Sequence, residues 1–128
     1  MKIEHIALYT VNLERMCDFY QTYFGGVSGQ PYHNPKTGLR TRFLSFEQGA
    51  RLELMTRPEV QEAQPTAFCT GWAHLAFAVG TREKVDALTE RLRADGYSVT
   101  SGPRITGDGY YESCVLDPDG NMIEITAS

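Results

Sequence analysis

The feature that most constrains the fold of this chain is an internal repeat. Six positions define it: His5, Gly25 and Glu53 in the first half, and His74, Gly96 and Glu124 in the second half. Each glutamate follows its glycine by 28 residues, and the two histidines precede their glycines by 20 and 22 residues. Matched spacings in two halves predict one structural unit that is built twice.

The hydrophobic pattern predicts a similar order of elements in both halves, with one strand-like run fewer in the first half. Strand-like runs lie over 3–11, 40–46 and 51–56 in the first half, and over 72–79, 97–100, 111–116 and 121–126 in the second. Apolar residues at helical spacing follow Asn12 and Thr81, whose side chains can cap a helix start. Gly25 and Gly96 are the expected helix ends. We therefore predict an α+β protein made of two tandem βαβββ modules.

Length and composition exclude several classes of protein. A chain of 128 residues with 41% hydrophobic content can bury one core, so we expect a single domain, with module 1 at about 1–57, a linker at about 58–71 and module 2 at about 72–128. A net charge of −4 without a Lys/Arg cluster argues against nucleic-acid or membrane partners. The N-terminus has no apolar signal-peptide core, and the three cysteines are far apart. These features predict a cytoplasmic protein with reduced, inert thiols.

Strand alternation predicts which way the repeated residues point. Because successive side chains on a strand face opposite sides, aliphatic neighbours such as Leu52 and Leu54 take the face opposite Glu53. The same holds around His5, His74 and Glu124. We expect a half-open concave sheet with the helices outside and these four residues inside. By this count, no cysteine lies on the His/Glu face.

Three sequence motifs carry a resemblance to a known family. Residues 18–20 with Phe24 and Gly25 resemble an "FY…LG" first helix, residues 72–77 (WAHLAF) resemble an "HLAF" strand, and residues 117–125 (DPDGNMIEI) resemble a "DPDGNxIEL" hairpin. With the duplication, the chain resembles the glyoxalase/bleomycin-resistance/dioxygenase (vicinal oxygen chelate) superfamily and its glyoxalase I-like, lactoylglutathione lyase-like members. The resemblance implies curved mixed sheets around a metal-containing cup, and a homodimer.

The four repeated residues suit one divalent metal ion. Taken singly, a strand histidine or a surface glutamate is more often structural or solvated, but their joint register favours ligation. Two imidazoles and two carboxylates, from His5, Glu53, His74 and Glu124, are typical ligands for Ni, Zn, Co, Mn or Fe. Such an ion would act as a Lewis acid that polarises a carbonyl and stabilises an enediolate. The resemblance assigns the proton-shuttle role to Glu124, and Glu53 is the second candidate catalytic base.

Other side chains are candidates for substrate binding. They are Tyr9, Arg51, Met55, Tyr111 and Met122. Bacterial glutathione-dependent relatives typically carry an arginine where this chain has Tyr9, so a different thiol, or a substrate without a thiol, is an open alternative. His33 is expected to be an exposed loop residue. The segment over 102–109 is either a mobile loop over the cup or an ordinary hairpin connection.

The leading hypothesis is a metal-dependent, glyoxalase-like lyase or isomerase. Its substrate would be a small α-oxo compound or the adduct of that compound with a low-molecular-weight thiol. One alternative is a dioxygenase or a fosfomycin-type thiol transferase, relatives that generally use two histidines and one glutamate. Another is a non-enzymatic, bleomycin-resistance-like drug-binding protein, whose relatives lack the metal ligands. The fourth ligand, Glu53, favours the lyase.

Overall fold

A computed structural model describes residues 1–64 and 68–128. The chain divides into two compact units, Met1–Gln64 and Pro65–Ser128. The elements of the first unit are β1 (His5–Tyr9), α1 (Leu13–Phe24), β2 (Val27–Ser28), β3 (Tyr32–His33), β4 (Arg40–Ser45) and β5 (Arg51–Thr56). The elements of the second unit are β6 (Leu75–Gly80), α2 (Arg82–Ala94), β7 (Val99–Ile105), β8 (Tyr111–Leu116) and β9 (Met122–Ala127).

Each unit holds one mixed, unclosed sheet with the same topology. The first sheet has the order β1-β5-β4-β2, with β3 also paired to β4, and the second has the order β6-β9-β8-β7. In both sheets the first strand runs parallel to the last strand, and the other pairings are antiparallel. The predicted duplication and the α+β class are therefore confirmed. This topology places side chains of the first and last strands of each unit next to each other.

Helix α1 begins and ends where the sequence predicts. The Asn12 side chain accepts a hydrogen bond from the backbone N–H of Arg15 at 3.1 Å, and Gly25 ends the helix with a φ of 69°. This left-handed conformation costs glycine little, because glycine has no Cβ. The helix packs on one face of its sheet. The buried residues that it contributes are Leu13, Met16, Cys17, Phe19 and Tyr20, and those of the sheet are Leu44, Leu52 and Leu54.

Helix α2 covers one face of the second sheet in the same way. Thr81 caps its start by accepting from the backbone N–H of Lys84 at 3.2 Å. Its apolar stripe, Val85 and Leu92, is fully buried. A polar contact lies within this interface, where the Thr89 hydroxyl meets the Ser113 hydroxyl of β8 at 2.7 Å. The hydroxyl of Thr89 also donates to the carbonyl of Val85, so this buried polar group has partners on both elements.

Several boundaries differ from the sequence prediction. Two short strands, β2 and β3, follow α1, and His33 lies in β3 instead of a loop, although it is exposed as expected. These strands were missed because two-residue strands carry no alternation. Strand β7 runs on to Ile105, so the first part of 102–109 belongs to the sheet. Strand β6 begins at Leu75, which leaves His74 immediately before it.

No helix in the described part of the chain is long and apolar enough to cross a membrane.

Candidate functional site

The shared topology brings a histidine and a glutamate together in each unit. In the first unit, His5 lies opposite Arg51 across the parallel β1–β5 pair, and Glu53 is two residues further along β5, on the same face. The Nε2 atom of His5 is 3.9 Å from the Oε1 atom of Glu53. The Glu53 side chain is largely buried, whereas His5 is partly exposed.

The second unit repeats this relation. Leu75 lies opposite Ile123 in the parallel β6–β9 pair, so His74 precedes the strand beside Met122, two residues before Glu124. The Nε2 atom of His74 is 3.1 Å from Oε2 of Glu124. Both units thus bring one imidazole and one carboxylate together at the same register position.

A tight turn fixes the position of Glu124 on β9. The carboxylate of Asp117, which is buried, accepts hydrogen bonds from the backbone N–H of Asp119 at 2.9 Å and of Asn121 at 3.0 Å. The side-chain amide of Asn121 donates to the other carboxylate oxygen at 2.9 Å. Gly120, with a φ of 84°, completes the turn. The turn sets the register between β8 and β9, and with it the residues that face Glu124.

This register places two further ligand-type residues beside Glu124. Cys114 of β8 lies directly opposite Glu124, and Glu112 lies two residues before Cys114 on the same face. Ligand atoms of these three residues lie within 4.8 Å of one another. The expectation that no cysteine lies on the His/Glu face is therefore wrong. The reason is that the turn at 117–121 determines which residues of β8 lie opposite those of β9, and it pairs Cys114 with Glu124.

Glu112 and Cys114 are both buried, and burial shifts their pKa values. Glu112 and Cys114 are each 8% exposed. Burial raises the pKa of Glu112, and a hydrogen bond to Glu124 together with the charge of Glu124 raises it further. Burial also raises the pKa of the Cys114 thiol, with the charges of Glu124 and Glu112 adding to the effect. Both pKa shifts are in the direction that disfavours the charged form of the side chain.

A second set of contacts surrounds His5. The Nδ1 atom of His5 and the guanidinium of Arg51 both bind the carboxylate of Glu4, on different oxygens. The hydrogen bond from His5 is the main cause that lowers the pKa of Glu4; partial burial opposes it, and Arg51 lowers the pKa further. The Arg51 guanidinium lies over the ring of Phe43 at 4.1 Å. Sequence reasoning missed Glu4, because alternation alone places adjacent side chains on opposite faces.

The predicted substrate-binding residues fall into different surroundings. Tyr9 lines an open cavity of about 440 Å³ in the first unit. The other residues of that cavity are Arg57, Glu59, Val60 and Gln61. Met55 shares a face with Glu53, and Met122 shares a face with Glu124. Arg51 is also on that face, but its guanidinium is engaged by Glu4 and Phe43.

Tyr111 does not lie with the other predicted residues. Its hydroxyl donates to Asp86 of α2 at 2.5 Å, and the guanidinium of Arg82 lies 5.0 Å from its ring centroid. Because strand side chains alternate, Tyr111 is on the helix-covered face and Glu112 on the opposite one. The structure therefore does not bring Tyr111 to the face of Glu124, and its substrate-binding role stays a prediction.

The donor atoms present fit a divalent transition-metal ion. Imidazole nitrogen and carboxylate oxygen occur as a close pair in each unit, and the second unit adds the Cys114 thiol and a further carboxylate. Mixed nitrogen, oxygen and sulfur donors suit ions of borderline softness, such as Zn²⁺, Co²⁺ or Ni²⁺. The residues that could hold such an ion are His5 and Glu53 in the first unit, and His74, Glu112, Cys114 and Glu124 in the second.

Two mixed sheets of one topology define a recognisable class of protein when each has a glutamate on its last strand and a histidine at the start of its first strand. The chain belongs to the glyoxalase/bleomycin resistance protein/dioxygenase superfamily, whose family model matches residues 2–125. It is 32% identical over 129 residues to the lactoylglutathione lyase of Haemophilus influenzae, an alignment that covers 97% of this chain and 90% of the relative. It is 30% identical over 131 residues to the uncharacterized protein YqjT of Bacillus subtilis, with 98% of each chain covered.

A solved structure shares the fold at low sequence identity. The glyoxylase/bleomycin resistance protein/dioxygenase domain from Frankia sp. EAN1pec superposes with a TM-score of 0.84 at 17% identity. The match covers 100% of this chain and 98% of that one. This likeness confirms the fold class that the internal repeat predicts.

Proposed function

We propose that the protein is a metal-dependent lyase or isomerase of the glyoxalase I type. Its substrate would be a small α-oxo compound or the thiol adduct of such a compound. The observation that carries the proposal is the repeated register of His5 with Glu53 and of His74 with Glu124, on matched parallel strands of two units. The 32% identity to a lactoylglutathione lyase supports it.

The two histidine–glutamate pairs would together hold one divalent ion, Ni, Zn, Co, Mn or Fe. The two pairs would come either from one chain or from the two chains of a homodimer. When bound, the ion supplies Lewis-acid polarisation of the substrate's oxygen atoms. Four protein ligands leave room for two adjacent substrate oxygens in an octahedral site.

Glu124 would carry out the proton transfer. Its carboxylate would take a proton from the hydroxyl-bearing carbon beside the substrate's carbonyl group and return it to the former carbonyl carbon. The hydroxyl proton would pass to the former carbonyl oxygen, so the isomerisation neither gains nor loses atoms. Glu112 is buried and hydrogen-bonded to Glu124, whose side chain is 23% exposed, so this base would be partly shielded from water. Glu53 occupies the equivalent position in the first unit and is the second candidate base.

Substrate selection would fall to the side chains on the same faces. Tyr9 and its cavity, with Met55, Arg51 and Met122, are the proposed walls of the binding region. An aromatic hydroxyl at residue 9 differs from the arginine that is typical of glutathione-dependent bacterial relatives. An assay would therefore compare glutathione with other low-molecular-weight thiols and with a substrate that carries no thiol.

The domain organisation, the oligomeric state, the cellular location and the partners are proposed from the sequence. We propose one domain over 1–128, with modules at about 1–57 and about 72–128 and a linker between them. We also propose a cytoplasmic homodimer that acts on a small molecule and has no nucleic-acid or membrane partner. The net charge of −4 supports the last point.

Metal analysis of the purified protein tests the proposal. We expect about one divalent ion per chain, and turnover of a 2-oxoaldehyde with a thiol only when the ion is present. The His5→Ala/His74→Ala double variant should lose both the ion and the turnover. His33→Ala is the matched control, because His33 is an exposed histidine on β3, and it should retain the ion. Stoichiometric metal in the double variant would overturn the site assignment.

A further inference from the structure

A chain of polar contacts lies behind His5, on the side of the ring away from Glu53. Glu4 precedes His5, and its carboxylate binds the Nδ1 atom of the imidazole. The opposite ring nitrogen, Nε2, is the one that faces Glu53 at 3.9 Å. The two nitrogens of this histidine therefore have different partners, and each partner is a carboxylate.

The Glu4 contact determines which nitrogen carries the proton. A carboxylate can only accept a hydrogen bond, so Nδ1 must donate its N–H to Glu4. In a neutral imidazole the other nitrogen then keeps its lone pair. That lone pair is on Nε2, the nitrogen that faces Glu53. It is therefore available to a metal ion that Glu53 also binds.

Arg51 holds Glu4 in this orientation. Its guanidinium binds the carboxylate oxygen of Glu4 that His5 leaves available, and its backbone N–H donates to the Glu4 carbonyl at 3.0 Å. The guanidinium is in turn stacked over Phe43 at 4.1 Å. The ring of Phe43 meets the imidazole of His5 edge-on, with ring centroids 5.5 Å apart. His5, Glu4, Arg51 and Phe43 are thus linked in a closed ring of contacts.

We propose that Glu4, held by Arg51, is a positioning residue that fixes the tautomer and ring orientation of His5 for metal binding. Carboxylates that accept from the second nitrogen of a ligating histidine act in this way in metal sites generally. The inference rests on the proposed function, because it requires His5 to be a ligand. It also gives Arg51 a role in addition to the proposed substrate contact, because its guanidinium binds Glu4.

The test compares Glu4→Ala with a matched control, Glu14→Ala. Glu14 is also an exposed glutamate of the first unit that pairs with an arginine, Arg42, at 3.4 Å. Zinc affinity is measured by competition with a chelator, and the His5 tautomer is measured by nitrogen-15 NMR on the metal-free protein at a pH where the imidazole is neutral. We expect Glu4→Ala to weaken zinc binding by about 10–100-fold and to convert His5 from the Nδ1–H form to a mixture.

The conservative variant Glu4→Gln separates positioning from simple structural damage. Its amide oxygen can still accept from Nδ1, so we expect the Nδ1–H tautomer to persist and part of the zinc affinity to return. If Glu4→Ala matches the control in affinity or in tautomer, the positioning role is refuted. If His5→Ala leaves zinc affinity unchanged, the metal site of the proposed function fails instead, so the two failures are distinguishable.

Discussion

At the scale of single residues, the two repeated glutamates, Glu53 and Glu124, have different neighbours. Glu53 and Glu124 occupy equivalent positions, but only Glu124 lies against a second buried carboxyl and a thiol. Glu124 can therefore differ from Glu53 in its reactions even though the repeat makes their backbones alike. The asymmetry is consistent with the choice of Glu124 as the base.

The replacement Glu124→Gln tests that choice. Glutamine keeps the size and one oxygen ligand but cannot take up a proton, so we expect turnover to fall by about 10²–10⁴-fold while the protein stays folded. Steady-state kinetics on metal-loaded protein, with circular dichroism for the fold, measure both effects. Glu47→Gln, the same replacement at an exposed position, is the control. Full activity in Glu124→Gln would transfer the proton role to Glu53.

Glu112 gives a prediction about pH in the metal-free protein. Its pKa is raised in the folded state by burial and by the hydrogen bond to Glu124, from an ordinary value of 4.5. Between the ordinary and the raised pKa the folded state binds more protons than the unfolded state, so stability falls as pH rises through that window and stays lower above it.

Removing the charge of Glu112 should therefore stabilise the protein on the alkaline side only. We expect Glu112→Gln to unfold at a higher temperature than the parent protein at pH 7, with a difference that shrinks towards pH 3. Thermal melts in a chelator between pH 3 and pH 8 measure this. Glu47→Gln, at an exposed position, controls for the loss of one surface charge. An equal loss of stability at both ends of the range would contradict the prediction.

At the scale of elements, the turn between β8 and β9 decides which side chains face each other. The Asp117 carboxylate accepts three hydrogen bonds there, two from backbone N–H groups and one from an amide. Because these groups lie in a part-buried turn, losing the acceptor leaves donors unsatisfied. The register of Cys114 and Glu124 depends on this turn.

We expect Asp117→Ala to lower the free energy of unfolding by about 2–4 kcal/mol, on the basis of three lost hydrogen bonds to a charged acceptor. Asp117→Asn keeps one oxygen that can accept from the two backbone N–H groups, so it should cost less than half as much. Urea denaturation of the metal-free proteins measures both values. Equal costs for alanine and asparagine would show that the carboxylate charge, and not the turn geometry, is what matters.

At the scale of the whole molecule, the parts predictable from sequence are those with local causes. The helix ends at Asn12 and Gly25 follow from capping and from backbone conformation, and the duplication follows from spacing. The pairing of Cys114 with Glu124 also has a local cause, because counting residues outward from the turn at 117–121 places them opposite each other. Glu4 was not predictable in this way, because its side chain turns towards its own neighbour, against the alternation of the strand.

A metal ion that both histidine–glutamate pairs bind would stabilise the strands of both pairs together. A ligand that binds only the folded state stabilises it by about 2.7 kcal/mol at 100 times its dissociation constant, or about 10 °C in melting temperature for a chain of this size. If His5 and Glu53 share one ion with His74 and Glu124, added metal should slow amide hydrogen exchange in β1 and β5 as well as in β6 and β9.

Hydrogen exchange with mass-spectrometric detection separates this shared site from a site confined to the second unit. With a shared site, His5→Ala should remove most of the metal-induced protection from all four strands, and His74→Ala should do the same. His33→Ala should leave the protection intact. Protection confined to β6, β8 and β9 that survives His5→Ala would instead assign the ion to Glu112, Cys114 and Glu124 with His74. In that case, the cysteine that alternation alone failed to predict would be a ligand.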